Sequence, residues 1–167
     1  PMTSLQIPGI VLDDEIYRLE SKKVYSARSG GHRLAVNVWE GPESEFDGVI
    51  AAVAKAATIR VDGLGRILSI GTTDEAVYWI REYIDGEALS LRLQRETFTE
   101  PALLALATRL GRVLSAIHER GVVHRGLQSA NIVMDSSDQA WLLDLGVSTP
   151  NSPVKGTENP KQFREAV

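Results

Sequence analysis

Residues 116–147 read AIHERGVVHRGLQSANIVMDSSDQAWLLDLGV. The stretch leaves an apolar-periodic helix at Ile117, and Gly121 is the kind of residue that stops one. Val122-Val123-His124 then runs extended. Asn131-Ile132-Val133-Met134 and Ala140-Trp141-Leu142-Leu143-Asp144 are two apolar runs around a polar turn at Asp135–Asp138. They read as a small β-hairpin ending on an acid. Between helix and hairpin lies a polar loop carrying His124-Arg125-Gly126 and Asn131.

Upstream, Glu100–Arg120 reads as a long helix, with Thr99 at the N-cap and Pro101 at its first position. Leu103, Leu106, Leu110, Val113, Leu114 and Ile117, with Leu104 between them, make it apolar on more than one face. Such a helix expects burial on two sides. A short helix is expected at Ala88–Leu93. Strands are expected at 67–71 and 77–84, and a helix at Pro42–Thr58 with Ser44 as N-cap and Phe46, Val49, Ile50, Val53 and Ala57 as its stripe. Further strands at 24–28 and 33–39 flank the hairpin signal Ser29-Gly30-Gly31-His32. From Val147 onward the chain reads as a loop. The order is α+β, in two segregated parts.

The chain has 167 residues, 43% apolar and 24% charged, with net charge −4. An acidic surface argues against nucleic acid or anionic membrane as partner, because phosphates need clustered cations. The absence of cysteine removes disulfides, zinc thiolates and thiol chemistry. No apolar run is long enough to span a bilayer, and no signal peptide is recognised, so a cytoplasmic protein starting naturally at Met2 is expected.

Five landmarks in order resemble a Ser/Thr protein kinase. His124-Arg125-Gly126 with Asn131 resembles the His-Arg-Asp catalytic loop, and Asp144-Leu145-Gly146 the Asp-Phe-Gly motif. Tyr78 to Leu89 resembles the hinge between lobes, Leu34-Ala35-Val36-Asn37-Val38 the Val-Ala-Ile-Lys strand, and Val24-Tyr25-Ser26-Ala27 the strand after the Gly-rich loop. The resemblance implies a small β-rich N-lobe with one main helix over 1–82. It implies a truncated, mainly helical C-lobe over 83–146 and an activation-segment-like tail over 147–167.

Against that pattern, several phosphotransfer groups are replaced. The loop before Val24 contains no glycine, and Glu20 places negative charge there, partly offset by Lys22 and Lys23. The strand lysine is Asn37. Its helix glutamate is expected near Ala52, and residues 48–60 contain no acid. The catalytic base is Gly126, which has no side chain to accept a proton, and the lysine two residues on is Gln128. The expectation drawn from these losses is a pseudokinase, not an enzyme.

Asn131 and Asp144 occupy the magnesium-ligand positions. They serve either as weak metal ligands or as loop braces bonding to backbone. Val24, Ala35, Val133 and Leu143, with backbone groups of Glu82 and Ile84, occupy the positions of an adenine pocket, or are core residues between lobes. Arg81 stands at the gatekeeper position, as a partner of Glu82 or Asp144, a block to the cavity, or an exposed charge. His124 is expected to be structural. No cofactor is expected, and Mg-ATP at most weakly.

The resemblance also implies further C-lobe helices that this chain lacks. The uncovered face of the long helix is therefore expected to be an interface, formed by Leu103, Leu106, Leu110, Val113, Leu114 and Ile117. It would serve a homodimer or a hetero-complex with a protein partner such as an active kinase, unless a remaining domain of a larger protein covers it. The functional readings are a scaffold or allosteric regulator in signalling, a nucleotide sensor, and an enzyme with residual or rerouted ATP chemistry.

Overall fold

The computed structural model describes residues 5–19 and 21–143. Asp144 and the expected tail at 147–167 lie outside them.

A five-stranded antiparallel sheet forms the first part. Its strands are β1 (Val11–Leu19), β2 (Lys22–Ser29), β3 (His32–Trp39), β4 (Ile67–Thr72) and β5 (Val77–Glu82), in the spatial order β1-β2-β3-β5-β4. β2 and β3 pair without interruption from Lys22↔Trp39 to Ser29↔His32. The two residues left in the turn are Gly30 and Gly31, with φ of +54° and +83°. Both values suit the turn that matches strand twist, and only glycine adopts them in succession at little cost.

Strand alternation gives the sheet two faces. Tyr25, Ala27, Leu34, Val36, Val38 and Ile80 form an outer apolar layer, covered by Ile7 with Leu5, Ile10 and Leu12 packed against it. Trp39, Val77 and Trp79 belong to the inner layer, which meets α1 (Phe46–Ala57) through Phe46, Val49, Val53 and Ala56. Trp39 and Phe46 meet edge to face, ring centroids 5.9 Å apart, an arrangement that the ring quadrupoles favour. Ser44 does not cap α1. A three-residue 3-10 turn, Glu43–Glu45, leads into the helix, and no side chain caps either end of that approach.

The second part contains α2 (Leu89–Arg92), α3 (Glu100–His118) and a three-stranded sheet. Thr99 caps α3 as expected, its hydroxyl accepting from the Ala102 amide at 3.4 Å. The expected hairpin is β7 (Ile132–Asp135) and β8 (Ala140–Leu142). Asp135 closes its turn: Oδ1 accepts from the amides of Ser137 and Gln139, and Oδ2 from the Trp141 indole. The Trp141 bond first, then those amides, hold the Asp135 carboxyl below its ordinary range.

A third strand, β6 (Gly86–Ala88), pairs with β7 and was not expected. Gly86 permits it, because a Cβ there would stand 2.3 Å from the Met134 carbonyl oxygen. Arg109 ties α3 to the hairpin: its Nε donates to the Ala140 carbonyl at 2.7 Å, and its Nη1 pairs with Asp62 at 2.8 Å. On the other side, the Arg33 guanidinium stacks 3.9 Å from the Tyr83 ring centroid and pairs with Asp85. It joins the large sheet to the connecting segment.

Helix α3 corrects the expected interface. Val113 and Ile117 are fully buried on the inner side, in one cluster with Ile132, Met134 and Leu142. Leu106, Leu110 and Leu114 are partly buried against that cluster. Leu103 and Leu104 are 48% and 67% exposed. One side of the helix is core; only its N-terminal half presents apolar side chains outward. Among the described residues, no helix is long and apolar enough to cross a membrane.

Truncating Ile117 to alanine should cost about 2–5 kcal/mol, because it opens a cavity in a closed core. Leu104→Ala should stay within about 0.5 kcal/mol. Urea unfolding of both variants checks this, and comparable losses would mean that the buried side of α3 is wrongly assigned.

Candidate functional site

The two parts meet along the connection after β5. Val24 and Ala35 are buried on the inner face of the large sheet, on β2 and β3. Glu82 and Ile84, half-buried, begin the connection. Val133 and Leu143 come from the hairpin side. Val133 packs against Gly86, and Leu143 against Gly65. The loop at 63–65 is bonded to β8 in both directions: Gly65 N–H donates to the Leu142 carbonyl at 2.8 Å, and Leu142 N–H to the Gly63 carbonyl at 2.7 Å. Val24 and Ala35 thus lie on the sheet side, Val133 and Leu143 on the hairpin side, and the loop at 63–65 bonds to the hairpin between them.

Asn37 lies at the centre of the inner face, with Val24 and Trp79 as its cross-strand neighbours. Its exposure is 0%, and among the described residues neither Oδ1 nor Nδ2 has a hydrogen-bond partner. The inward residues of α1 are apolar, so neither a cation nor a carboxylate meets the amide from the helix. An unpaired buried amide is costly.

The polar loop is held by His124, which is 2% exposed. Gly126 N–H donates to its Nδ1 at 3.2 Å, and its Nε2 lies 2.9 Å from the Leu143 carbonyl oxygen. With Nδ1 accepting, Nε2 carries the proton and donates. Arg125 takes φ of +61° between these anchors, a left-handed conformation that is strained for a residue with a Cβ. Gln128 opens the 3-10 turn Ser129–Asn131. Asn131 Nδ2 donates to the Gly126 carbonyl at 2.7 Å, and its backbone carbonyl accepts from Leu143 N–H at 2.8 Å. Asn131 is therefore a loop brace, and its amide dipole leaves Oδ1 as the atom able to bind a cation. An amide oxygen and a carboxylate are the hard donors that Mg²⁺ takes. Asn131 and Asp144 fit that ion in kind, with Asp144 outside the described residues. Among the described residues, no group of three or more His, Asp or Glu side chains gathers elsewhere.

Arg81 is not the exposed charge that a lone arginine suggests. It is 7% exposed, opposite Ala35, and its Nη1 donates to the Glu82 carbonyl at 3.3 Å.

The family model for the protein kinase domain matches residues 43–161. The dual specificity protein kinase zakA of Dictyostelium discoideum is 32% identical over 110 residues, 64% of this chain and 13% of that protein. The serine/threonine-protein kinase Sgk1 of Danio rerio is 35% identical over 95 residues, 56% of this chain and 22% of that protein. Sgk1 of Rattus norvegicus is 34% identical over the same length. The chain spans less than a quarter of the length of these relatives. The expectation of a chain that is not an enzyme is overturned by these matches, which point to a kinase enzyme. It rested on the combined replacement of the Gly-rich loop, of the lysine by Asn37 and of the base by Gly126, with Gln128 beside it, and the family match runs through positions 126 and 128 all the same.

Replacing Asn37 with leucine should raise stability by about 1–3 kcal/mol, since it removes two unpaired buried groups at similar volume. The melting temperature checks this. A fall would mean that the amide has a partner in solution, water or ligand.

Proposed function

This chain belongs to the protein kinase family, and on that premise we propose that it binds a nucleoside triphosphate at the junction and transfers the terminal phosphoryl group to a hydroxyl acceptor. The single observation behind this reading is the bond from Asn131 to the Gly126 carbonyl. It keeps the loop closed where the carboxylate has gone, and it holds the loop's amide oxygen ready.

The chemistry runs with little help from a base. The acceptor oxygen forms a bond to the terminal phosphorus. The bond from that phosphorus to the bridging oxygen breaks, and its electron pair leaves with the nucleoside diphosphate. Such transition states are loose, so the attacking oxygen needs little activation. The acceptor's proton passes to water, because Gly126 offers no carboxylate. Loss of a positioned base costs on the order of 10²–10⁴ in rate, so transfer is slow. Asn131 and Asp144 are the residues that would hold Mg²⁺, which supplies charge neutralisation at the phosphates when bound. Val24, Ala35, Val133 and Leu143 provide apolar surface for the base, and backbone groups of Glu82 and Ile84 meet its edge.

Two measurements test this. A millimolar triphosphate with Mg²⁺ should raise the melting temperature by mass action. Radiolabel transfer should depend on the metal and disappear in Asp144→Ala. No thermal shift, or transfer unchanged in Asp144→Ala, would sink the reading.

A protein partner is a second reading, favoured by the outward Leu103 and Leu104. Leu104 lines a groove of about 750 Å³ together with Phe98, Leu106, Arg112 and Met134. Apolar exposure of this kind marks contact surfaces, and self-association of the chain through this face is the expected form. Light scattering over a concentration series should show it, and Leu104→Glu should abolish it. A monomer at every concentration would remove this reading.

A further inference from the structure

The large sheet is closed on both faces, by unequal means. Every residue of β3 from Leu34 to Trp39 is buried, and side chains alternate along a strand, so each of its faces is covered. The inner face is covered by α1, a helix of 12 residues. On the outer face Ala27, Leu34, Val36, Val38 and Ile80 meet an arm formed by residues 5–10. Ile7 is set into that layer, 8% exposed, and Leu5 and Ile10 pack against it. Gln6, between Leu5 and Ile7, is exposed. This is the alternation of an extended segment laid on an apolar surface.

Pro8 and Gly9 turn the chain out of the arm and into β1. Ile10 N–H donates to the Ile7 carbonyl at 3.1 Å, and Gly9 takes φ of +76°. Proline at the second position and glycine at the third are the residues that a type II turn takes. Residues 5–10 belong to no strand of the sheet. Side-chain contact, not a ladder of backbone bonds, holds the arm, so its release breaks no strand pairing. Elements held in this way open at the low end of a protein's local free energies. Release uncovers a contiguous apolar surface, the kind that takes a partner. That surface is the back of β3, whose other side carries Ala35 and Asn37 to the junction.

We propose that the outer face of the large sheet is a docking site for an extended apolar segment, and that residues 5–10 are its resident, displaceable occupant. A segment tethered this closely acts at a local concentration on the order of millimolar. That keeps the face closed against a free segment of the same kind. Weakening the resident opens the site, and the apparent affinity for a free segment rises with the open fraction.

The test is fluorescence anisotropy of a labelled peptide of residues 5–10, LQIPGI, titrated with the full chain. Ile7→Asp in the chain should expel the arm, because a carboxylate does not stay in an apolar layer. That variant should bind the peptide about ten-fold or more tightly than the wild-type chain does. A peptide that itself carries Ile7→Asp should bind neither chain. Equal binding by the two chains, equal binding of the two peptides, or no binding by an Ile7→Asp chain that keeps its melting transition would overturn the proposal. Should Ile7→Asp lose that transition, Ile7→Ala decides by the same ratio. Loss in both variants would show residues 5–10 to be core, which overturns the proposal as well.

Discussion

The junction depends on one buried imidazole. His124 receives the Gly126 amide on one nitrogen and gives its proton to the Leu143 carbonyl with the other. Those two bonds fix the distance between the polar loop and the end of β8. The Asn131 carbonyl and the Leu143 amide close the same gap from the backbone. The left-handed turn at Arg125 persists because its neighbours are anchored on both sides. Strain of this kind survives only where surroundings over-determine it. Without the ring, a buried carbonyl and an amide would each lose a partner, at about 1–3 kcal/mol apiece.

From that weld the organisation spreads in both directions. β8 receives the loop at 63–65, so the hairpin shares backbone bonds with the segment that leads into β4. Arg109 extends the tie to α3 through the Ala140 carbonyl. The surface of α3 that meets the hairpin is consequently core. Val113 and Ile117 are committed inward, and only the first turns of the helix present exposed leucines.

Much of this was legible in the residues. Gly30-Gly31 announced its hairpin, and Thr99 with Pro101 announced the start of α3, because turn and cap chemistry is local. The order of strands and helices followed from periodicity. What escaped the sequence depends on things far apart in it. β6 is three residues long, and its signal is the lack of a Cβ at Gly86 facing a carbonyl that lies 48 positions away in the chain. Which side of α3 is buried is decided by the hairpin, not by the helix, whose leucines surround it. The site divides in the same way. That position 37 lacks a cation is visible in one letter. That Asn37 is sealed between Val24 and Trp79 becomes visible only once three strands are in register, since neither neighbour is near it in the chain.

The stack of Arg33 on Tyr83 has a mechanical meaning. The guanidinium stands 3.9 Å from the ring centroid and also pairs with Asp85, so the first residues after β5 are tied to the sheet they have just left. A strap tied in this way resists bending more than an untied one would. The compliant point moves down the chain to Gly86, where bending must peel β6 from β7. Bending beyond that strap is then resisted by the few backbone bonds that the three-residue strand makes with β7.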